Sequence, residues 1–177
     1  DLGFVPGEGG KTAANMIGET DVLFLLGADE IAVPTGGAFV VYIGTHGDAG
    51  AHRADVILPG AAYPEKSGIY VNTEGPVQMA ARAAFPPGDA REEWAILRAL
   101  SEHLGTRLPY DSLTQLRQAL FSAFPHLQRI GEIMPGDAAD LRRLAQLPGS
   151  PDKAPFHSVI DDFYLTNPIA RASAVMA

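Results

Sequence analysis

Cysteine is absent from the 177 residues. That absence excludes disulfides, thiolate chemistry and any zinc or iron–sulfur site ligated by cysteine within the chain. Metals of a longer parent protein are expected to lie elsewhere. Long apolar runs are lacking as well. The greasiest stretch, residues 22–26, is closed at once by Gly27 and Asp29, far short of the roughly 18–20 apolar residues that a membrane span needs. Positive charge is scarce: 13 Lys and Arg stand against 21 Asp and Glu, a formal charge of −8. The basic residues are scattered singly apart from Arg142 and Arg143. A nucleic-acid groove or an anionic lipid surface requires the opposite sign, clustered on one face. Neither nucleic acid nor membrane insertion is therefore expected. The first residue is Asp1, with no charged segment and apolar stretch of a secretory leader after it, and this start reads as a cut in a longer natural chain.

What is present belongs to an α/β class. Residues 22–26, VLFLL, and 38–44, AFVVYIG, are short apolar runs stopped by glycine, the pattern of strands buried on both faces of a parallel sheet. DVILPG supplies a third, shorter run at Val56, Ile57 and Leu58. Residues 69–72 and 77–80 alternate more weakly around the turn Thr73, Glu74, Gly75, Pro76, and predict a hairpin at the rim of that sheet. After Pro86, Pro87 and Gly88 the period becomes helical. Asp89 and Glu92 stand in capping-box spacing, and Trp94, Leu97, Leu100 and Leu104 form a stripe. A second helix is predicted from Asp111 or Ser112 to Pro125 and a third from Asp137 to Leu147. Residues 148–155 read as a linker. Residues 159–164 read as extended, and Asn167 with Pro168 announces a terminal helix reaching Met176. Two or three doubly buried strands need neighbours on both edges and helices on both faces. The chain supplies too few, so the missing strands are expected upstream.

The loop GTHGDAG places Gly44, Gly47 and Gly50 directly after a strand, where open α/β sheets bind phosphates and nucleotides. The spacing is not G-x-G-x-x-G. Tight turns needing positive φ explain glycine there equally, and that plainer reading is favoured. His46, Asp48 and His52 suggest metal ligands, but one loop leaves that donor set incomplete. His103 at a helix end suits the helix dipole, and His126 and His157 fall in loops. Asp55, Glu65 and Glu74 suggest a carboxylate pair for acid–base work, yet capping of backbone groups at strand ends explains them more simply.

The string ADVILPGAAYPEKSGIYVNTEGPVQ, residues 54–78, is similar to a segment of the third domain of molybdopterin oxidoreductases: a strand ending in Leu-Pro, a Glu, a Gly, then Asn-x-Glu-Gly at a hairpin. It is joined to VLFLLGAD before it, PPGDAREEWAILRALSEHLG after it and FYLTNPIARASAVMA at the end. The combination resembles the large iron–sulfur subunits of respiratory complex I, the NADH:quinone oxidoreductases. The resemblance implies part of a molybdopterin-oxidoreductase-like parallel sheet with flanking helices over 1–85. A helical region over 86–147 and a linker with a small helical C-terminal extension over 148–177 follow. It implies that 2Fe–2S and 4Fe–4S clusters are bound by an N-terminal part lacking here, so that electron transfer lies outside these residues. In molybdoenzymes, loops equivalent to 27–29 and 44–60 help hold a pterin dinucleotide, whereas complex I subunits keep the fold without that cofactor. Gly27, Asp29, Asp55, Pro59, Glu65, Asn72 and Glu74 are then structural remnants, and no catalytic, cofactor or metal residue is expected in this segment. The implied partners are other peripheral-arm subunits, on the cytoplasmic face of a bacterial inner membrane or the matrix face of a mitochondrial one. A second reading is the end of a true molybdenum enzyme of the formate dehydrogenase type. A third is a freestanding nucleotide-binding module.

Overall fold

The structure is a computed structural model and describes residues 9–47, 49–150, 152–158 and 160–176. A single turn, α1 (Ala13–Met16), is capped by the Thr12 side chain and leads into β1 (Val22–Leu26). Strand β2 (Phe39–Gly44) pairs with β1 in parallel, Val22 opposite Phe39 and Leu26 opposite Ile43. Parallel neighbours need a crossover. Helix α2 (Ala49–Arg53) lies in the crossover that leads to β3 (Val56–Pro59), which pairs with the other side of β2, Gly44 opposite Pro59. The order is β1-β2-β3.

Successive side chains of a strand point to opposite faces. On one face Leu23, Leu25, Val40 and Tyr42 form the core with Ala38 and Ala51, and Ala28, Val33 and Ala54 pack against it. The middle strand is buried on both faces, as the sequence predicts: Val40 and Ile43 are 0% exposed. Full burial of each such side chain contributes about 1.5–3 kcal/mol. The edge strand β1 departs from the prediction. Val22, Phe24 and Leu26 alternate with Leu23 and Leu25 and stay 50%, 38% and 52% exposed. With Phe39 and Val56 they leave the margin of one apolar face open around buried Val41 and Ile43, while α2 packs on the other face.

Strands β4 (Gly68–Val71) and β5 (Val77–Ala80) form the expected antiparallel hairpin. It is a separate two-stranded sheet, however, and does not extend the rim of the first. The place beside the end of β3 is taken by Arg91, whose N–H donates to Pro59 O at 3.1 Å and whose carbonyl accepts from Ala61 N at 2.9 Å. The same bridge corrects the next helix. Arg91 is committed to the end of β3, so α3 (Glu93–His103) begins after Glu92 and Asp89 does not cap it. Its stripe is also narrower than predicted, since Leu104 is 71% exposed while Arg98 and Ser101 are buried.

Helix α4 (Leu113–Ala123) starts as predicted at Ser112, whose side chain accepts from Gln115 N, and ends before Pro125. Helix α5 (Ala138–Leu144) is capped by Asp137, but Leu141, Leu144 and Leu147 on its stripe are exposed. Residues 163–165 form a short 3₁₀ turn capped by Asp162 rather than an extended segment, and Val159 lies outside the described residues. Asn167 and Pro168 open α6 (Pro168–Arg171) as expected. The helix stops well before Met176. Ser173 Oγ accepts from Val175 N at 3.3 Å, a local bond that competes with helical pairing.

Candidate functional site

Open parallel sheets bind ligands outside the carboxyl ends of their strands. Here those ends surround a crevice of about 280 Å³. Gly27, after β1, has φ +63°, a conformation that favours glycine, and its N–H donates to Ile43 O at 2.7 Å. After β2 come Gly44 and Thr45, and after β3 the backbone of Ala61 and Ala62 with Tyr63. Lys66 and Glu93 form an ion pair on one wall, and Asn167, Pro168 and Ile169 close another. Tyr42, 1% exposed, donates its hydroxyl to His46 O at 2.9 Å and fixes the β2 loop.

The glycines of that loop do not serve positive φ as predicted, for Gly44, Gly47 and Gly50 all lie outside that region. Two of them serve close approach. A Cβ on Gly44 would collide with the Tyr42 ring, and one on Gly50 would lie 2.8 Å from Ala28 O. Gly50 is pressed there because Asp29, only 2% exposed, takes its N–H twice: Oδ1 accepts at 3.0 Å and the carbonyl at 3.1 Å. An internal carboxylate thus stands at the first turn of α2, the position that attracts anions through exposed amides and the helix dipole.

The structure separates the residues that the sequence groups as one signature. Gly27, Asp29, Pro59 and Glu65 gather at the carboxyl end of the sheet. Glu65 Oε2 accepts from Ala62 N at 2.9 Å. Asp55 sits at the opposite end, where Oδ2 accepts from Val40 N at 2.8 Å and ties β3 to the start of β2. Asn72 lies in the hairpin turn, its Oδ1 accepting from the amides of Glu74 and Gly75 at 3.1 Å each. Backbone capping by Asp55 and Glu65 is what the simpler reading of these carboxylates describes, and the two are not brought together as an acid–base pair.

Asp48 lies outside the described residues. His46 Nδ1 is 3.0 Å from Thr45 Oγ1, and His52 is exposed. Among the described residues no group of three His, Asp or Glu side chains is arranged to hold a metal ion. His103 occupies the last turn of α3, His126 meets Phe124 edge-on, and His157 is exposed.

Two arginines carry no signal in the sequence. Arg98 donates to Tyr110 O at 3.0 Å and to Asp111 Oδ1 at 2.6 Å, and so joins α3 to the start of α4. Partial burial pulls its guanidinium downward, but hydrogen bonds to Asp111 and Glu102 more than offset this and hold it above its ordinary value. Hydrogen bonds from Arg107 and then Arg98 hold the Asp111 carboxyl below its ordinary range. Arg171 reaches the loop after β1, beside the crevice, with Nη1 2.7 Å from Glu30 Oε1 and Nη2 3.9 Å from Asp29 Oδ2. A basic residue in a tail gives no local hint of a partner 141 positions earlier.

A pterin dinucleotide does not fit this donor set. Five amides of the loops at the strand ends are engaged internally: Gly27 to Ile43 O, Gly50 to Asp29, Gly60 to Gly44 O, Ala61 to Arg91 O and Ala62 to Glu65.

Comparison with known proteins sets this geometry in a family. The molybdopterin oxidoreductase profile matches residues 1–103, and a profile of the C-terminal region of a NADH-ubiquinone oxidoreductase subunit matches residues 130–177. The mitochondrial NADH-ubiquinone oxidoreductase 78 kDa subunit of Candida albicans is 47% identical over 190 aligned residues, covering 100% of this chain and 25% of that protein. The counterpart in Neurospora crassa is 47% identical over 88% of this chain and 22% of its own length. The NADH-ubiquinone oxidoreductase 75 kDa subunit of Reclinomonas americana is 44% identical over 90% of this chain and 23% of its own. The chain spans about a quarter of the length of these relatives. With a family match over more than half of its residues, laid on a parallel sheet whose strand ends carry the matching loops, the chain belongs to the molybdopterin oxidoreductase family.

Proposed function

We propose that this chain completes the α/β body of the iron–sulfur subunit of an NADH:quinone oxidoreductase and acts there as a scaffold and contact segment. The observation that carries the reading is the 44–47% identity to the 75 and 78 kDa subunits across nearly the whole chain. The absence of cysteine supports a division of labour in which clusters and electron transfer belong to parts of the parent outside these residues. The open sheet face of Val22, Phe24, Leu26 and Phe39 supports a surface covered by the preceding strands and helices of the same polypeptide, since apolar patches of this kind mark contact sites. The partners are other peripheral subunits of the complex, held at the inner membrane without a span in this segment. No described helix is long and apolar enough to cross a bilayer.

Mass spectrometry and metal analysis of the full-length parent, purified in its native assembly, test the reading. Iron without molybdenum, together with respiratory subunits, is the expected result. Stoichiometric molybdenum with a pterin would overturn it in favour of a molybdenum enzyme of the formate dehydrogenase type.

A further inference from the structure

We propose that the segment 163–172 is the resident cover of the crevice at the carboxyl ends of β1, β2 and β3, latched there by Arg171 on Glu30 and Asp29. The chain therefore walls off its own ligand position. This inference goes beyond the scaffold reading and stands on the geometry of the chain alone.

The first support is Asp29. One carboxylate oxygen is spent on Gly50, and the other, Oδ2, is buried and accepts no hydrogen bond among the described residues. A buried carboxylate is costly unless a cation compensates it. Arg171 is the cation that reaches it, at 3.9 Å, while holding Glu30 at 2.7 Å.

The second support is the shape of the segment. Arg171 Nη1 also donates to Leu165 O at 3.1 Å, which folds the 163–165 turn against α6. Leu165, Pro168, Ile169, Ala170 and Arg171 are then half-buried, whereas residues 152–158 and 174–176 on either side are exposed. Order in such a segment must be offset by contacts, because fixing each residue costs about 1–2 kcal/mol of backbone entropy. Among the described residues, Asn167, Pro168 and Ile169 line the crevice together with Gly27, Tyr42 and Thr45.

Limited trypsin digestion of the full-length protein tests the latch, with intact mass reporting cleavage after Arg171. In the native protein Arg171, its side chain 22% exposed, should be cut far more slowly than Arg143, which is 74% exposed. Reversing the charge opposite it in Glu30→Lys, at a side chain 64% exposed, should speed cleavage at Arg171 about tenfold and leave Arg143 unchanged. Hydrogen exchange on Arg171→Ala supplies the second readout: amides of 163–172 should exchange about tenfold faster than in the native protein, with Arg171→Lys in between. Cleavage at Arg171 as fast as at Arg143 in the native protein would overturn the proposal. So would a rate unmoved by Glu30→Lys, or tail amides unmoved by Arg171→Ala. None of these outcomes bears on the subunit and metal content that tests the scaffold reading.

Discussion

Gly50→Ala should destabilise the α2 region even though alanine is the better helix former. In helix-favouring positions that exchange gains at most about 1 kcal/mol. Here the new methyl would lie 2.8 Å from Ala28 O and 3.2 Å from Asp29 Cα, and both are backbone atoms that cannot rotate aside. Overpacking that forces a backbone shift costs about 1–3 kcal/mol. The shift also stretches the two hydrogen bonds from Gly50 N to Asp29, each contributing about 0.5–1.5 kcal/mol. The balance is a loss of about 2 kcal/mol. Hydrogen exchange in the full-length protein reads this as about a thirtyfold acceleration of the amides of Ala49–Arg53. Gly47→Ala is the matched control. Among the described residues its methyl would meet only Ala51 Cβ at 3.7 Å, an ordinary contact, and its φ is not positive, so exchange should change less than about threefold. Equal exchange in the two variants would refute the close-approach argument.

Asp111 sets the acid response of the α3–α4 junction. Its folded carboxyl lies below its ordinary value of 3.8, so its contribution is complete above that value and is lost as pH falls through the lowered one. The gap in thermal midpoint between the native protein and Asp111→Asn should narrow from pH 7 to pH 3, and a constant gap would count against the pairing. Asn72→Ala removes the acceptor for two turn amides and should cost about 1 kcal/mol in local exchange at 72–75, while Asn72→Asp keeps most of it. Phe24→Glu places a charge on the exposed margin of the sheet, at a side chain 38% exposed. Native gels should show the parent failing to enter its assembly, and normal assembly would remove the evidence that this face is covered.

How much is legible in the sequence depends on whether the deciding contact is local. Glycine stops and apolar runs announce the three parallel strands, and Ser112 and Pro125 bound α4 within the sequence itself. The start of α3 misleads because a bridge from Arg91 to β3 overrides a capping pattern that is locally sound. The open face of β1 alternates only if one knows which face α2 covers. Gly50 draws attention in the sequence for the wrong reason, since its close approach to Asp29 depends on packing across 21 positions. Asp29 stands out in the signature, but its role as an internal anion at α2 emerges only when β1 and the crossover are laid side by side. Arg98 hides between Leu97 and Leu100 as an ordinary helix residue. Its partners lie in the next corner.

The ion pair between Glu30 and Arg171 joins residues 141 positions apart. At roughly 5–20 residues per second of synthesis, Glu30 waits on the order of ten seconds for its partner to be made. During that interval the strand ends can fold against their own loops but lack the segment that covers them. The last contact at the crevice is therefore a mark of translation having passed Arg171: a chain broken off earlier would present the same sheet with an uncovered carboxylate. That difference gives a chaperone or protease a surface by which to tell the two apart.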